Sequence, residues 1–425
     1  MNAGEQCAAW EGPRAGAELL AGQNIVYLGP EPWDGMWRNR HQLMSRFART
    51  NQVLYVEPPV RMRALRRGLG DGRVRWSDVW RQAGRPLVVR KAENVTVYRP
   101  PMYIPIAGRG RLRDLMRSAW LARLRGILRE LHFIDPIVWF SRPNMAPYLG
   151  HLGEKLAIYH VVDEYSGYLG VKDQDRARIL EAESVLLSRV DLVVAVSKPL
   201  FDSKRRANPN CYLVPNGVDS ESYANARARA QRGALPADLA DVCTPIVGYS
   251  GLMNARLDYT LLYRCAREHP EWTFAFMGRV DERSCGDQVR RLSALPNVRF
   301  LGEKTIQDLP LYVAACAACL MPYRDNLETQ NISPLKLYDY LAAGRPVVST
   351  NIPAVDGFEA IVRIARTDDE FVAHLEGAVA ERERGLDAQR QRIARDNDWN
   401  ARIADLSRII GSHLCRKSPA SDTHL

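Results

Sequence analysis

Short apolar runs alternate with amphipathic helical segments along most of the chain from residue 25 onward. The runs have four to seven residues and end at Gly, Pro, Asn, Asp or Ser. This pattern is typical of strands that are buried on both faces of a parallel sheet. The predicted strands cover residues 25–28, 53–56, 95–98, 137–140, 156–159, 192–196, 246–251, 272–278, 298–302, 318–322 and 347–350. Two such series in one chain predict an α/β protein with two doubly wound domains in tandem.

A polar, alanine-rich stretch separates the two series of strands. The predicted organisation is a flexible leader at 1–22, a first domain at 23–219, a connection at 220–244, a second domain at 245–395, a closing helix at 396–415 and a disordered tail at 416–425. The leader lacks a basic start followed by an apolar core, so no signal peptide is predicted.

Composition places the chain among ordinary globular proteins. It has 425 residues, of which 46 % are hydrophobic and 25 % charged. No apolar run reaches the roughly 18 residues that a transmembrane helix needs, so we expect a cytosolic location. Among the eight cysteines, Cys316 and Cys319 form a CxxC in an alanine-rich run without a second pair or a nearby histidine. Small buried side chains are therefore predicted there rather than a metal or redox site.

Positive charge is concentrated in one part of the first domain. The net charge is +10, and residues 61–130 alone contain 18 Arg and Lys against 5 Asp and Glu. Within them, a helix predicted from residue 110 to 131 carries Leu112, Leu115 and Trp120 between arginines. Two interpretations stay open: an amphipathic helix on an anionic membrane surface, or a core helix with a solvated basic face. No helix-turn-helix or stacking-aromatic module is present, so no nucleic-acid partner is predicted.

The segment 331–350, NISPLKLYDYLAAGRPVVST, predicts a loop, a short helix and a buried strand. Ser333 is a suitable N-cap, Pro334 suits the first helical position, and Gly344 suits the C′ position. Free amides, the positive end of the helix dipole and Lys336 together suit a diphosphate. The alternative is an ordinary αβ unit that only packs a sheet. Since neither G-x-G-x-x-G nor a Walker A sequence follows a predicted strand, a dinucleotide or P-loop site is not predicted.

This segment resembles the donor-binding signature S-P-L-K-L-Y-[E/D]-Y-L-A-x-G-x-P-V-V of retaining GT-B glycosyltransferases of family 4. It is closest to the branch that includes enzymes of teichuronic-acid and exopolysaccharide assembly. Residues 190–197 and the sequence PNGVD at 215–219 resemble two further segments of the family. The resemblance extends from Ile25 to about Ile410. It implies two Rossmann-like domains with a cleft between them and a C-terminal helix that crosses back to the first domain.

The resemblance also implies residues for the donor diphosphate. Relatives often carry G-R-x-x-x-K after the first strand of the second domain. Here Gly251 is present, Leu252 stands at the arginine position and Arg256 at the lysine position. The implied grip on the diphosphate therefore consists of Gly251, Arg256, the amides around Ile332 and Ser333, and Lys336.

Contacts to the nucleoside and the sugar are implied by a pair of acids that relatives space as E-x7-E. Asp339 takes the second position, which is expected to hold the ribose hydroxyls. Asn331 stands eight residues earlier and could bind a sugar hydroxyl through its amide. Glu328 is an alternative acid if the loop bulges.

In the first domain, the resemblance points to two loops. Gly29, Trp33 and Asp34 lie in the loop that approaches sugar and acceptor, and His160 and Asp163 follow a strand near the reacting carbon. Asp163 is the better match for a base or polar stabiliser, whereas His160 is also compatible with a core histidine. Nothing in the sequence resembles the D-x-D metal site of the other main glycosyltransferase fold, so neither a metal nor a cofactor is predicted, and the resemblance implies retention of configuration.

We therefore expect transfer of a sugar from a UDP- or GDP-sugar to a lipid-linked saccharide or a cell-surface polysaccharide. The protein would contact an anionic membrane peripherally. Two alternatives remain: a nucleotide-sugar epimerase of the same fold, and a non-catalytic subunit that docks partner enzymes. Leu252 and Asn331, where relatives carry charged residues, keep the second alternative open.

Overall fold

The computed structural model describes residues 19–35, 37–60, 62–70, 72, 74–83, 85–101, 110–168, 171–381 and 385–417. These residues form two mainly parallel sheets, one for each predicted series of strands. The predicted α/β architecture is thereby confirmed. None of the described helices is both long and apolar enough to cross a membrane.

The first sheet has eight strands in the order β3-β4-β2-β1-β5-β6-β7-β8. All neighbouring strands pair in parallel except β3, which runs antiparallel to β4 at the edge. The strands are β1 (Asn24–Leu28), β2 (Gln52–Val56), β3 (Val88–Ala92), β4 (Val95–Tyr98), β5 (Ile137–Phe140), β6 (Leu156–Val161), β7 (Leu192–Ala195) and β8 (Cys211–Leu213).

The second sheet has six strands, all parallel, in the order β11-β10-β9-β12-β13-β14. They are β9 (Ile246–Ser250), β10 (Thr273–Met277), β11 (Val298–Gly302), β12 (Ala318–Met321), β13 (Val347–Thr350) and β14 (Val362–Ala365). In both sheets the strand order reverses beside the first strand, between β1 and β5 and between β9 and β12. Ligands of doubly wound sheets bind at such reversal points, beyond the carboxyl ends of the strands.

Helices connect the strands of both sheets. Those that precede the second sheet are α1 (Asn39–Phe47), α2 (Met62–Gly70), α3 (Trp76–Ala83), α4 (Arg111–Glu130), α5 (Asp173–Arg189), α6 (Lys198–Lys204) and α7 (Ser220–Gln231). The others are α8 (Tyr259–Glu268), α9 (Glu282–Ser293), α10 (Leu309–Ala315), α11 (Leu335–Ala342), α12 (Asp368–Val379), α13 (Leu386–Asp396) and α14 (Trp399–Lys417).

Three apolar cores hold these layers together. One core lies on each face of the first sheet, and the third surrounds the second sheet. The closing helix α14 belongs to the first domain's core, because Trp399, Leu406 and Ile410 pack there with Met44 and Phe47 of α1. The chain therefore returns from the second domain to the first at its end.

The structure corrects three of the predicted boundaries. The end of the predicted leader is fixed, because the Leu20 carbonyl accepts hydrogen bonds from Thr50 Oγ1 and Asn51 Nδ2, both at 2.8 Å. Residues 1–18 lie outside the described part. The predicted connection 220–244 contains helix α7, and its Tyr223 and Leu239 are buried in the core of the second domain.

The predicted tail begins two residues too early. Helix α14 includes residues 416 and 417, and Lys417 pairs with Asp191 at 2.5 Å and donates to the Lys155 carbonyl at 3.1 Å. Residues 418–425 lie outside the described part.

Candidate functional site

A cleft of about 930 Å³ opens between the carboxyl ends of the two sheets. Both domains contribute side chains to its walls. From the first domain these include Pro30, Glu31, Gly35, Arg38, Arg40, Arg142, Asp163 and Tyr168; from the second they include Gly251, Arg256, Tyr323, Ile332, Ser333, Lys336 and Asp339.

Helix α11 ends as the sequence predicts. Gly344 has φ +69°, the left-handed conformation that favours glycine at C′. Its amide donates to the Leu341 carbonyl at 2.9 Å, and the Arg345 amide donates to the Tyr340 carbonyl at 3.0 Å. This pair of bonds is the Schellman motif. The helix is also anchored to β9, because the Ser250 amide donates to the Tyr340 hydroxyl at 2.8 Å.

The start of α11 differs from the prediction. Pro334 has ψ 117°, so it is not helical and takes the N-cap position itself, and the helix begins at Leu335. Ser333 makes no capping hydrogen bond. Its carbonyl instead accepts from Asn216 Nδ2 of the PNGVD segment at 2.8 Å. The loop before α11 is therefore held by the first domain, which a local capping rule does not anticipate.

Lys336 lies in the first turn of α11, among aromatic rings. Its Nζ donates to the Tyr323 hydroxyl at 2.6 Å and lies 4.8 Å from the centre of the Tyr249 ring. Gly251 makes room for this ammonium group, because a Cβ there would lie 3.2 Å from Lys336 Nζ, and its φ of +132° disfavours any other residue. The structure thus brings two of the predicted donor-site residues together.

Arg256 bridges the two domains across the cleft. Its Nε donates to Glu328 Oε1 at 2.7 Å, and its Nη2 lies 4.0 Å from Asp163 Oδ1 of the first domain. The guanidinium also lies 5.8 Å from the centre of the Tyr168 ring. Burial would lower the pKa of Arg256, but the two carboxylates outweigh it and raise this pKa. Glu328 is therefore the buried partner of Arg256.

Asp163 is the predicted catalytic residue that lines the cleft. The Tyr168 hydroxyl donates to its Oδ2 at 2.7 Å. Burial raises the pKa of Asp163, although Arg256 and the bond from Tyr168 act in the opposite direction. A carboxylate with a raised pKa is a better proton acceptor than a solvated one.

Asp339 lies on α11, three residues after Lys336. Burial raises the pKa of Asp339 to about 7, although a hydrogen bond from Tyr223 and the charge of Lys336 lower it. The carboxyl group therefore changes its protonation near neutral pH. Its position in the wall of the cleft is compatible with the predicted contact to ribose hydroxyls.

The predicted sugar contact by Asn331 is not supported by its orientation. Its Nδ2 donates to the Leu327 carbonyl at 2.7 Å, and its own carbonyl accepts from Ser197 Oγ of the first domain at 2.7 Å. The side chain is thus used within the loop, outside the wall of the cleft. The neighbouring Ile332 and Ser333 do line it.

His160, the second predicted catalytic residue, lies buried inside the first domain. Strand β6 runs to Val161, two residues beyond the predicted end, so His160 is still a strand residue. Its ring is buried edge-on against Trp139, at 5.9 Å between ring centres, and burial lowers its pKa to about 4. His160 is therefore a neutral core histidine that does not line the cleft.

The acceptor loop is placed differently from the prediction as well. Gly29 lies against the Tyr55 ring, where a Cβ would be 2.3 Å away, and Trp33 packs edge-on against the same ring. Asp34 pairs with Lys91 at 2.7 Å, outside the cleft. The part of this loop that lines the cleft is Pro30, Glu31 and Gly35.

Sequence reasoning missed Arg142 and Tyr168 at the cleft. Arg142 was detectable, because it follows the predicted strand 137–140 by two residues and the carboxyl ends of such strands carry the ligand site. Tyr168 had no comparable signal. Within the described ranges, no three His, Cys, Asp or Glu side chains converge in a way that could hold a metal ion. Independence from metals and cofactors stays a prediction.

Comparison with known proteins finds a family that matches the second domain and a curated protein that matches about two thirds of the chain. Residues 245–381 match the model of the family described as glycosyl transferases group 1. TuaH of Bacillus subtilis (strain 168), a glycosyltransferase named for teichuronic acid biosynthesis, is 27 % identical over 290 residues. That match covers 64 % of this chain and 71 % of TuaH.

Solved structures share the fold at low sequence identity. Sucrose-phosphate synthase from Thermosynechococcus elongatus superposes with a TM-score of 0.67 at 16 % identity, covering 93 % of this chain and 100 % of that one. HepE of Anabaena, solved in complex with UDP and glucose, superposes with a TM-score of 0.62 at 15 % identity, covering 92 % and 100 % of the two chains. At such identities the likeness is one of fold.

Proposed function

We propose that the chain is a glycosyltransferase of the GT-B fold that transfers a sugar from a UDP-sugar to a cell-envelope saccharide. The acceptor would be a lipid-linked saccharide or a growing polysaccharide. The observation that carries this proposal is the convergence of Arg256, Lys336 and the start of α11 in one wall of the cleft.

These groups suit the leaving diphosphate. They lie at the β9/β12 reversal point, and the first turn of α11 adds the positive end of the helix dipole. Glu328 Oε1 accepts from Arg256 Nε and also pairs with Arg256 Nη2, so this carboxylate holds one edge of the guanidinium. Cations and free amides that face the leaving group stabilise the charge that develops when the glycosidic bond breaks.

A uridine nucleotide is the donor that the comparisons favour. HepE was solved with UDP and glucose and also with UDP-glucose. Asp339 has the position and the carboxyl group to accept hydrogen bonds from the two ribose hydroxyls. The alternative donor, a GDP-sugar, is tested directly by the nucleotide panel below.

Asp163 supplies a carboxyl group from the first-domain wall of the cleft. It faces Arg256 across the cleft, and its raised pKa suits a role in accepting the acceptor's proton or in stabilising the cationic sugar. Retention of configuration follows from the family resemblance, and no carboxylate is assigned as a nucleophile.

We extend the proposal to a peripheral position on an anionic membrane. Support comes from the basic stretch 61–130 and from large apolar side chains that it exposes to solvent. Trp76 and Trp80 of α3 are 62 % and 67 % exposed, and Leu112 and Leu115 of α4 are 56 % and 67 % exposed. Exposed apolar side chains among arginines match the requirements of an interfacial helix. The other half of α4, including Trp120 and Leu124, is buried in the core, so the proposed membrane contact concerns only the exposed side chains of this helix.

A nucleotide panel tests the donor assignment. Thermal unfolding is measured with UDP, GDP, TDP, UMP and uridine, and hydrolysis of the matching UDP-sugars is then followed without acceptor. We expect the largest rise in Tm with UDP, because the nucleotide that binds most tightly stabilises the folded protein most. A ligand at one hundred times its Kd stabilises by about 2.7 kcal/mol. Release of free UDP together with an epimerised sugar would instead identify an epimerase. Failure of all the nucleoside diphosphates to raise Tm would contradict the proposed function.

A further inference from the structure

Three arginines of the first domain surround a single carboxylate in the cleft. Glu31 lies 3.2 Å from Arg40 Nη2, 3.6 Å from Arg142 Nη2 and 3.8 Å from Arg38 Nε. All four residues line the cleft, and we call them the arginine cluster. The Arg40 side chain is only 5 % exposed, whereas those of Arg38 and Arg142 are 38 % and 36 % exposed and accessible to a ligand.

The arginine cluster occupies the reversal point of the first sheet. Glu31 follows β1, Arg142 follows β5, and Arg38 and Arg40 lie at the start of α1. This position mirrors that of Arg256 and Lys336 in the second sheet. The molecule thus has two cationic sites that face one cleft, and the diphosphate of the donor accounts for one of them.

Charge within the cluster is not balanced. Burial acts to raise the pKa of Glu31, but the three arginines outweigh it and lower this pKa, so Glu31 stays ionised. Three guanidinium groups against one carboxylate leave two positive charges without a compensating partner in the cluster. The nearby Asp163 also attracts Arg38 and Arg142, but its oxygens are already engaged by Tyr168 and Arg256.

Hydrogen-bonding capacity is left over as well. The Nε atoms of Arg38, Arg40 and Arg142 are all buried, and none has a hydrogen-bond partner in the described part of the chain. A buried donor without an acceptor is unfavourable by about 1–3 kcal/mol. Because these Nε atoms do not reach the surface, a ligand in the cleft would meet the exposed ends of Arg38 and Arg142. Planar guanidinium groups match the geometry of phosphate and carboxylate oxygens.

We propose that the arginine cluster binds an anionic group of the acceptor, a phosphate or a carboxylate. This inference rests on the proposed function and names the chemical class of its acceptor. The cluster places a phosphate- or carboxylate-bearing saccharide in the first-domain half of the cleft, opposite the donor. Glu31 is the internal counter-ion that partly compensates the cluster until the acceptor arrives.

Binding to the UDP-saturated full-length protein tests this inference, because UDP blocks the other cationic site. The probes are glucose 6-phosphate, glucuronate and neutral glucose, titrated by calorimetry. We expect at least one anionic probe to bind about tenfold or more tightly than glucose. Arg142→Gln should weaken that probe about 10- to 100-fold, and Glu31→Gln should strengthen it, since the competing carboxylate is removed.

Arg99→Gln is the matched control, because Arg99 pairs with Asp34 and Glu57 outside the cluster. A preference for glucose 6-phosphate identifies a phosphate-bearing acceptor, and a preference for glucuronate identifies a uronate. Equal binding of charged and neutral probes, or equal losses in Arg142→Gln and Arg99→Gln, would overturn the inference. The proposed function fails separately, through absence of UDP binding to the wild-type protein.

Discussion

Arg256 donates a hydrogen bond from Nε to Glu328 Oε1 at 2.7 Å, and Glu328 is only 7 % exposed. This hydrogen bond fixes the guanidinium beyond the carboxyl end of β9. There its Nη2 lies 4.0 Å from Asp163 Oδ1 of the other domain. Glu328 was the alternative acid of the sequence analysis. In the structure, Glu328 positions Arg256, which stands at the lysine position of the family pattern.

The first prediction concerns the diphosphate grip. Arg256→Gln and Lys336→Gln should each weaken UDP binding about 10- to 100-fold, since a hydrogen bond to a charged group contributes about 1.5–3 kcal/mol. Uridine, which lacks the diphosphate, should bind equally to both variants and to the wild type. Calorimetry with UDP and uridine measures the difference.

The control for this experiment is Arg299→Gln. Arg299 belongs to the same domain and binds Asp241 through two hydrogen bonds of 2.8 Å, away from the cleft. UDP binding should be unchanged in this variant. If uridine affinity falls as much as UDP affinity in Arg256→Gln or Lys336→Gln, these cations support the structure of the site rather than bind phosphate.

The second prediction concerns the pH dependence of donor binding. The pKa of Asp339 is raised to about 7, and only its ionised form accepts hydrogen bonds from both ribose hydroxyls. Below that pH, binding must expel a proton, so affinity for a UDP-sugar should fall about tenfold from about pH 8 to pH 6. UDP-glucose is the suitable probe, because both of its phosphates stay fully ionised in this range.

Asp339→Asn provides the comparison for this profile. The amide does not titrate, so the variant should bind UDP-glucose more weakly at pH 8 and with a flat dependence on pH. A wild-type profile that is equally flat would remove Asp339 from the ribose site.

The third prediction concerns the close approach of β9 and β10. Gly278 has φ +153°, and a Cβ there would lie 1.9 Å from the Gly251 carbonyl oxygen. Gly278→Ala must therefore move one of the two strand ends, and we expect it to lower the free energy of unfolding by about 2–4 kcal/mol.

Gly357→Ala is the control. Gly357 has φ +85° but no atom within 4 Å of the added methyl group, so we expect the free energy of unfolding to fall by only about 1 kcal/mol. Urea unfolding measures both values, and equal losses would show that backbone strain alone decides them.

Much of the fold was predictable because most strands are buried on both faces. Their continuous apolar runs are visible without any knowledge of the partners. Three strands at sheet edges, β3, β8 and β14, were missed. Charged residues such as Arg90, Lys91 and Arg363 interrupt the patterns of β3 and β14, and β8 has only three residues. Edge strands are defined by pairing with a neighbour on one side, which a local pattern does not encode.

Part of the site was predictable from the sequence. Lys336 was predicted from the start of a helix, and Gly251 and Asp339 from the family resemblance; the structure places all three in the cleft wall. Asn331 differs from the prediction because its side chain donates to the Leu327 carbonyl, and Ser333 because its carbonyl accepts from Asn216 of the other domain. Contacts between residues more than a hundred positions apart are not present in the local sequence.

The last prediction concerns the exposed apolar side chains of α4. Leu112→Ser/Leu115→Ser should reduce binding to vesicles that contain an anionic phospholipid, because each buried leucine contributes about 1.5–3 kcal/mol when fully inserted. Arg123→Glu/Arg125→Glu should reduce it as well, since each basic residue near such a surface contributes about 1 kcal/mol.

Leu180→Ser/Val185→Ser is the matched control, because these residues are 47 % and 39 % exposed on α5 of the same domain, where the helix is not arginine-rich. Flotation with anionic and neutral vesicles measures the four proteins. Equal flotation of the wild type and the α4 variants, or equal binding to neutral vesicles, would assign the basic face of α4 to solvent instead of the membrane.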